Sequence, residues 1–183
     1  MVNKLGDINQ FSKINEEVLY SKDIVTKLNK ADILNFKNQS SINLRKRIRL
    51  CAHTEQLDLL HEMFIVHERG AYVRPHRHHG KSESTHIVEG NVDVVLFSDD
   101  GRIEQVISMG DYKSGKTFYY RIAKPIYHTL IVRSEVLVFH ETTNGPFNRS
   151  TSNFAPWAPV DTDEKSIIHY MSNLEEQLNL IKI

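Results

Sequence analysis

Residues 70–90, GAYVRPHRHHGKSESTHIVEG, hold the densest set of potential metal ligands in the chain. His76 and His78 stand two residues apart, and in an extended strand that spacing points both imidazoles to the same side. Glu83 follows a short polar loop, at the start of the next predicted strand. Two imidazoles and a carboxylate on adjacent strands form a three-ligand face that suits one divalent transition metal, Fe, Mn, Ni or Zn.

A fourth ligand must come from a distant strand, and His128 is the best candidate. It lies just after Pro125, which fixes the entry turn of a further predicted strand. The alternative is that these histidines are ordinary barrel residues without a metal. A lone histidine would favour that alternative, whereas His76 and His78 with Glu83 favour a metal site.

The segments around this stretch have the hydrophobic period of β-strands. From Leu44 onward, apolar and polar residues alternate with a period of two, and turn residues such as Gly90 and Gly101 separate short runs. The predicted strands are residues 44–53, 59–66, 71–76, 84–89, 91–98, 103–108, 117–122, 127–132 and 136–141. Evenly spaced short strands with turn signals indicate a β-sandwich or β-barrel rather than alternating β and α units.

The two ends of the chain differ from this central part, which we assign to residues 44–143. Residues 1–43 form an N-terminal extension that is helical or mixed, with a polar linker at 38–43. Residues 144–183 form a C-terminal loop and helix. The helix-like spacing of the N-terminal segment is carried by Val18, Leu19, Ile24, Val25, Leu28, Ile33 and Leu34.

The C-terminal segment begins with an irregular, proline-containing stretch. We expect its aromatic residues, Phe147, Phe154 and Trp157, to pack this stretch against the barrel. The last residues predict a helix whose apolar seam docks on its own barrel or on a dimer mate. That seam consists of Ile167, Met171, Leu174, Leu178 and Ile181.

Composition narrows the classes of function. The 183 residues carry 23 Lys plus Arg and 23 Asp plus Glu, so no overall field attracts nucleic acid or an anionic membrane. Cys51 is the only cysteine, which rules out an intramolecular disulfide. Without a signal peptide or a spanning apolar run, a cytoplasmic protein is expected. Of the ten histidines, we expect most to lie scattered on the surface.

The metal stretch resembles the first motif of the cupin superfamily. That motif places Gly, His-x-His, Glu and Gly at fixed intervals, and Gly70, His76, His78, Glu83 and Gly90 stand at those intervals. The second cupin motif is kept only in part. Pro125 stands closer to His128 than in that motif, and Val132 replaces its Asn. The resemblance implies a mainly β cupin barrel, a double-stranded β-helix or jelly roll.

A narrower resemblance, from about Arg47 onward, is to the WbuC family of cupin-fold metalloproteins. It is carried by YVRPHRH at 72–78, KSE at 81–83, Glu141-Thr142, GPF at 145–147 and APWAP at 155–159. Members of that family are typically found among genes of polysaccharide (O-antigen) biosynthesis. The resemblance therefore implies the barrel, the metal and a possible link to sugar chemistry, but no substrate.

Cationic residues near the predicted ligands are candidates for binding a substrate. Arg74 shares strand parity with His76, and Arg47 and Arg49 lie on the polar face of the first predicted strand. Guanidinium groups bind phosphate and carboxylate with two hydrogen bonds, which suits an anionic sugar. Lys81, in the loop between ligands, either reaches an anionic substrate or is solvated. The alternative for the arginines is a basic strand that faces solvent or protects a sheet edge.

Two classes of function follow. The first is a metal-dependent enzyme acting on a small anionic sugar phosphate or nucleotide sugar, as an isomerase or epimerase or, with Fe(II), by dioxygenase-type chemistry. In that case Arg47, Arg49, Arg74 and Lys81 bind substrate, and His53 and Glu83 are the candidate catalytic groups. The second is a non-catalytic metal-containing protein that binds or senses a sugar. In either case we expect a homodimer.

Overall fold

The computed structural model describes residues 10–148 and 152–181, which form twelve strands and two α-helices. The elements are β1 Phe11–Asn15, β2 Val18–Ser21, α1 Lys30–Ile42, β3 Arg47–Cys51, β4 Leu60–Glu68, β5 His76–His78, β6 Glu83–Glu89, β7 Asn91–Phe97, β8 Ile103–Gly110, a short 3-10 helix Tyr112–Ser114, β9 Tyr119–Ile122, β10 Tyr127–Val132, β11 Val136–Asn144, β12 Ser152–Phe154 and α2 Glu164–Ile181. None of the helices in these described ranges is long and apolar enough to cross a bilayer.

The strands form two facing sheets. The larger sheet has the order β1-β2-β3-β4-β11-β6-β9, and the smaller has the order β12-β5-β10-β7-β8. Consecutive strands such as β6 and β7 lie in different sheets, so the chain passes back and forth between the two layers. Among the named strands, the pairs are antiparallel except for the parallel pair β2–β3. The result is a jelly roll, which agrees with the sandwich or barrel that the strand pattern predicted and is the architecture that the cupin resemblance implied.

Strand β7 explains how the core is layered. Its residues 92–97 are all buried, because the strand is covered on both faces. Val94 packs into the core between the two sheets, whereas Val95 and Phe97 point the other way and pack against the C-terminal segment. A strand covered on both faces appears in the sequence as a continuous apolar run rather than an alternating one.

The N-terminal extension contains both strands and a helix. Val18 and Leu19, whose spacing was interpreted as helical, lie in β2, and Ile24 and Val25 lie exposed in the loop that follows. Backbone pairing of β2 with β3 therefore overrides the local pattern. The predicted linker at 38–43 is instead largely the last part of α1, which begins at a capping box formed by Asn29 and Asp32.

The C-terminal helix docks on its own barrel. Leu174 and Leu178 are buried against the outer face of the smaller sheet, whereas Ile181, at the end of the predicted seam, is 55% exposed. Trp157 packs on Phe97, with ring centroids 5.0 Å apart, as expected for a packing residue. The expectation for its two neighbours was wrong, because Phe147 and Phe154 are half-exposed and line a cavity instead.

A partly buried ionic cluster ties this helix to the smaller sheet. Nε of Arg133 donates to Asp93 Oδ2 at 2.7 Å, and its Nη1 donates to Glu175 Oε1 at 2.7 Å. Asp93 is only 1% exposed, so its carboxylate depends on the guanidinium for compensation. Removing one partner of a buried pair leaves an uncompensated charge, which costs far more than losing a surface pair.

Replacing Arg133 with Met tests this attachment. We expect the free energy of unfolding, measured by urea denaturation, to fall by about 3 kcal/mol. The matched control is Arg102→Met, because Arg102 pairs with Asp100 at 2.9 Å on the exposed surface. Its expected loss is below about 1 kcal/mol. Equal losses in the two variants would contradict the assigned role of Arg133.

Candidate metal centre

The four predicted metal ligands come together at one point between the sheets. His76 and His78 lie on β5, Glu83 is the first residue of β6, and His128 lies on β10. Their donor atoms all lie within 4.8 Å of one another. His128 is the direct cross-strand partner of His76 in the smaller sheet, whereas Glu83 comes from the larger sheet. The site therefore joins the two layers of the fold.

The imidazoles are oriented by hydrogen bonds at Nδ1. The carbonyl oxygen of Arg74 lies 2.9 Å from Nδ1 of His76, and that of Ile126 lies 2.9 Å from Nδ1 of His128. A carbonyl can only accept, so these Nδ1 atoms carry hydrogen and the Nε2 lone pairs remain free. Nδ1 of His78 lies 2.9 Å from the Ser152 hydroxyl, which orients the ring but can either donate or accept.

The free nitrogens face the Glu83 carboxylate. Nε2 of His78 lies 3.2 Å from Glu83 Oε2, and Nε2 of His128 lies 3.4 Å from Glu83 Oε1. Nitrogen and carboxylate oxygen donors in this number are the set that divalent transition metals bind. Because carbonyl acceptors also fix His76 and His128 in the correct tautomer, the residues present fit such an ion.

The protonation states of the buried ligands are coupled. Burial alone would lower the pKa of His128, but the charge of Glu83 raises it above its usual value, so a metal ion would displace a proton from this imidazole. Burial lowers the pKa of His76 to about 3, with the neighbouring His128 contributing, so its imidazole is neutral. Burial alone would raise the pKa of Glu83, but the adjacent imidazoles, His128 first, hold it well below its usual value. Glu83 is therefore anionic, although it is only 5% exposed. A buried carboxylate needs a compensating cation, which a bound metal ion supplies.

Two further residues next to the ligands were not singled out from the sequence. The hydroxyl of Tyr120 donates to Glu83 Oε1 at 3.4 Å, and Glu141 lies on the same inner face of the larger sheet. Burial raises the pKa of Glu141 to about 8, and the charge of Glu83 adds to this effect. Glu141 could have been found from the sequence as a charged residue at an inward position of β11. The inward residue before it is apolar, and the one after it is Thr143.

A cavity of about 730 Å³ extends from these ligands between the sheets. It is lined by almost every residue that the sequence marked as a candidate. These are Arg47, Arg49, His53, Arg74, His76, His78, Lys81 and Glu83. A cavity of this size with a few charged and polar groups in its lining is typical of a site for a small molecule. The structure thus brings the candidate substrate-binding groups into the same cavity as the metal ligands.

The arginines on and just before β3 differ in their pairing. Nε of Arg47 donates to Glu17 Oε2 at 2.8 Å, and Arg45 pairs with Glu17 at 3.5 Å and also with Asp161. Arg49 is exposed to the cavity and has no ion pair among residues 10–148 and 152–181. Of the three, Arg49 is therefore the guanidinium available to an anionic ligand.

Arg74 and Lys81 line the cavity but are partly occupied by backbone carbonyls. Arg74 donates to the Ala155 oxygen at 3.3 Å, and its guanidinium lies 4.9 Å from the ring centroid of Phe154. Nζ of Lys81 donates to the Pro146 oxygen at 2.9 Å. Partial burial lowers the pKa of Lys81. Both side chains can still present a positive charge to a ligand.

His53 lies away from the metal ligands. Its ring stacks on His61, with centroids 4.0 Å apart and planes 11° apart. His61 and Glu83 lie in one row across the larger sheet, with Thr143 between them, so their Cα atoms are roughly 10 Å apart. Burial and then the charge of His61 lower the pKa of His53. His53 is therefore neutral, and it lines a part of the cavity away from the metal ligands.

The expectation that most histidines would lie on the surface was wrong for one histidine just after β3 and for two on β4. His53, His61 and His67 are 7%, 5% and 7% exposed and line the cavity. The reason is strand alternation, since His61, Met63, Ile65 and His67 take successive inward positions on β4. His79 and His86 are exposed, as expected.

The buried His67 predicts a pH dependence of stability. Burial lowers its pKa to about 3, with Arg47 and Arg45 contributing, whereas an unfolded chain has about 6.5. The unfolded state therefore binds the additional proton, and stability falls as pH drops below about 6.5. Between pH 7.5 and 5.5, His67 should account for about 1.4 kcal/mol of this loss.

Urea unfolding of the wild type and of His67→Phe at both pH values measures this contribution. The variant should lose less stability on acidification than the wild type, whatever its stability at pH 7.5. His79→Ala, which removes an exposed histidine, should keep the dependence of the wild type. An unchanged pH dependence in His67→Phe would show that His67 titrates normally in the folded protein.

One family model matches part of the chain, and its description names no activity. A family described as "Domain of unknown function (DUF6016)" matches residues 28–109. The matched segment includes His76, His78 and Glu83 but ends before His128. No curated protein matches the chain.

Solved structures bear on the fold. A crystal structure of a protein from Shewanella oneidensis is similar with a TM-score of 0.51 at 11% identity, over 70% of this chain and 85% of that one. The chain has a jelly-roll fold of two facing sheets. The predicted fold class, with a partly helical N-terminal extension and a C-terminal helix, is thus confirmed.

Two other solved structures share parts of this architecture. Bacillus subtilis oxalate decarboxylase, a protein with Mn(II) centres, has a TM-score of 0.43 at 16% identity, over 53% of this chain and 24% of that one. CapF has a TM-score of 0.46 at 14% identity, over 59% of this chain and 30% of that one. The chain spans about a quarter of the decarboxylase and under a third of CapF.

Proposed function

We propose that this protein is a metal-dependent enzyme that acts on a small anionic sugar-type substrate, either a sugar phosphate or a nucleotide sugar. The observation that carries the proposal is a shared cavity. Ligands of the candidate metal centre and the guanidinium of Arg49 line the same cavity of about 730 Å³. One substrate molecule can therefore contact the metal centre and Arg49 at the same time.

The coordination number of the ion bears on catalysis. The protein offers four donors, from His76, His78, Glu83 and His128. A four-coordinate Zn²⁺ would be saturated by them, whereas six-coordinate Fe, Mn or Ni would keep two positions for substrate or water. When bound, such an ion polarises a carbonyl or hydroxyl oxygen, as isomerisation or epimerisation requires, and Fe(II) would instead permit dioxygenase-type chemistry.

Each candidate residue then has a role that follows from its position in the cavity. Arg49 holds the anionic group of the substrate with two hydrogen bonds, with Arg47 beside it. Arg74 and Lys81 add positive charge near the metal ligands. Glu83 holds the metal at the reacting end. His53 is neutral and is the candidate for proton transfer at the part of the substrate away from the metal.

The cellular role is proposed from the motifs that resemble the WbuC family. Arg74, His76 and His78, together with the APWAP segment at 155–159, are the residues that support membership. We propose accordingly a cytoplasmic protein of polysaccharide (O-antigen) biosynthesis that works as a homodimer. Its partner molecule is a small ligand rather than nucleic acid or a membrane.

A second candidate function is a non-catalytic, metal-containing protein that binds or senses a sugar. The observation that favours it is the number of protein donors, since four fill the coordination of Zn²⁺ and leave no position for substrate. Binding without turnover by the metal-loaded protein would support this second candidate.

A panel of sugar phosphates and nucleotide sugars tests the proposal. We expect the metal-loaded wild type to bind at least one member by calorimetry and to convert it, with the product seen by NMR. Arg49→Met should weaken binding by roughly 10- to 100-fold, because it removes hydrogen bonds to a charged group. Arg102→Met, on the exposed surface, should bind as the wild type does. Identical binding by Arg49→Met would contradict the assignment.

A further inference from the structure

Three arginines stand together at the end of the cavity away from the metal ligands. Arg47 and Arg49 lie on one face of β3, Arg45 lies in the turn just before this strand, and all three line the cavity. Three guanidinium groups so arranged would ordinarily favour a doubly charged phosphate monoester. The carboxylates around them change that expectation.

Glu17 is held against these arginines by the backbone. It lies in the turn between β1 and β2, where its N–H donates to Asn15 Oδ1 at 2.8 Å. The N–H of Arg49 donates to its carbonyl oxygen at 2.8 Å. Its carboxylate lies 2.8 Å from Nε of Arg47 and 3.5 Å from Nη1 of Arg45. An anion that binds the same guanidinium groups must therefore lie beside this carboxylate.

A second carboxylate comes from the other end of the chain. Asp161, in the loop before α2, pairs with Nη2 of Arg45. Two carboxylates thus face three guanidinium groups, which leaves one positive charge in excess. Of these three arginines, Arg49 is the one without an ion pair to any residue that the structure describes, and it lies next to the Arg47–Glu17 pair.

Glu16, His67 and Arg74, which also line the cavity, do not alter this balance. Glu16 is paired with Lys13 at 2.7 Å, and its side chain is 83% exposed. Burial keeps His67 neutral, since its pKa is lowered to about 3. Arg74 belongs to the opposite wall, where its guanidinium lies over Phe154.

We infer that Glu17 sets the charge specificity of this end of the cavity, and that the ligand presents a single negative charge there, such as the carboxylate of a sugar acid. A carboxylate matches Arg49 in charge and in bidentate geometry. The second charge of a phosphate monoester would lie close to Glu17, where like charges repel strongly. The inference rests on the proposed function, and within the class of small anionic sugar-type substrates it disfavours the sugar phosphate monoester named there.

Glucuronate and glucose 6-phosphate test the inference, because both are hexoses with an anion at C6 but carry one and two charges. Calorimetry on metal-loaded wild type should show at least about fivefold tighter binding of glucuronate. Glu17→Gln should strengthen glucuronate about fivefold and glucose 6-phosphate about 25-fold, since a Coulomb energy scales with ligand charge. The preference for glucuronate should then disappear. Glu16→Gln removes a carboxylate from the same turn and should keep the preference for glucuronate.

The outcomes separate this inference from the proposed function. One outcome is that the wild type binds glucose 6-phosphate more tightly and that Glu17→Gln changes the affinity for both ligands equally. That outcome would overturn the inferred role of Glu17, but the proposal of an anionic sugar substrate would remain valid. If neither ligand binds to the wild type or to Glu17→Gln, the proposal of an anionic sugar substrate fails, and the inference fails with it.

Discussion

The buried carboxylate of Glu83 is the constraint around which this molecule is arranged. A carboxylate that is almost fully removed from water must be compensated by positive charge and hydrogen bonds. Here three imidazoles from the smaller sheet and the hydroxyl of Tyr120 surround it. Because Glu83 belongs to the larger sheet, the arrangement exists only when the two sheets face each other in register. The candidate metal site and the barrel therefore depend on each other.

The need to compensate buried charge also applies to the rest of the interior, where a cavity with charged side chains lies beside an apolar core. Alternation along β3 and β4 places arginines and histidines on the inner face, where an ordinary barrel would carry apolar side chains. Such an interior costs stability unless its charges are paired. The segments outside the barrel supply part of that pairing, through Glu17 from the N-terminal turn and Asp161 from the C-terminal loop. They shape the cavity rather than merely extending the chain.

Local spacing carried much of what the sequence could predict. The interval between His76 and His78, the loop to Glu83 and the Pro125 turn before His128 are short-range features, and they led to the ligand set that the structure brings together. The turn residues between short strands led to a β-sandwich or β-barrel, and the resemblance of residues 70–90 to the cupin motif led to the jelly roll. These predictions succeeded because strand alternation and turn chemistry act over a few residues.

What could not be predicted depends on pairing between distant segments. Glu17 lies at the cavity only because β2 pairs with β3, a parallel contact that the helix-like spacing of Val18 and Leu19 concealed. The proximity of Glu141 to Glu83 depends on the register between β11 and β6. Likewise, β4 buries His61 and His67 because of which face meets the smaller sheet. No local pattern contains that information.

The central claim is that His76, His78, Glu83 and His128 bind one divalent metal ion, and the metal content of untagged protein tests it most directly. Mass spectrometry should find about one equivalent of Fe, Mn, Ni or Zn in the wild type and in His79→Ala, whose exposed imidazole lies beside the site. His78→Ala should lose it. Wild-type protein without metal after purification under reducing, metal-supplemented conditions, or full metal content in His78→Ala, would contradict the account.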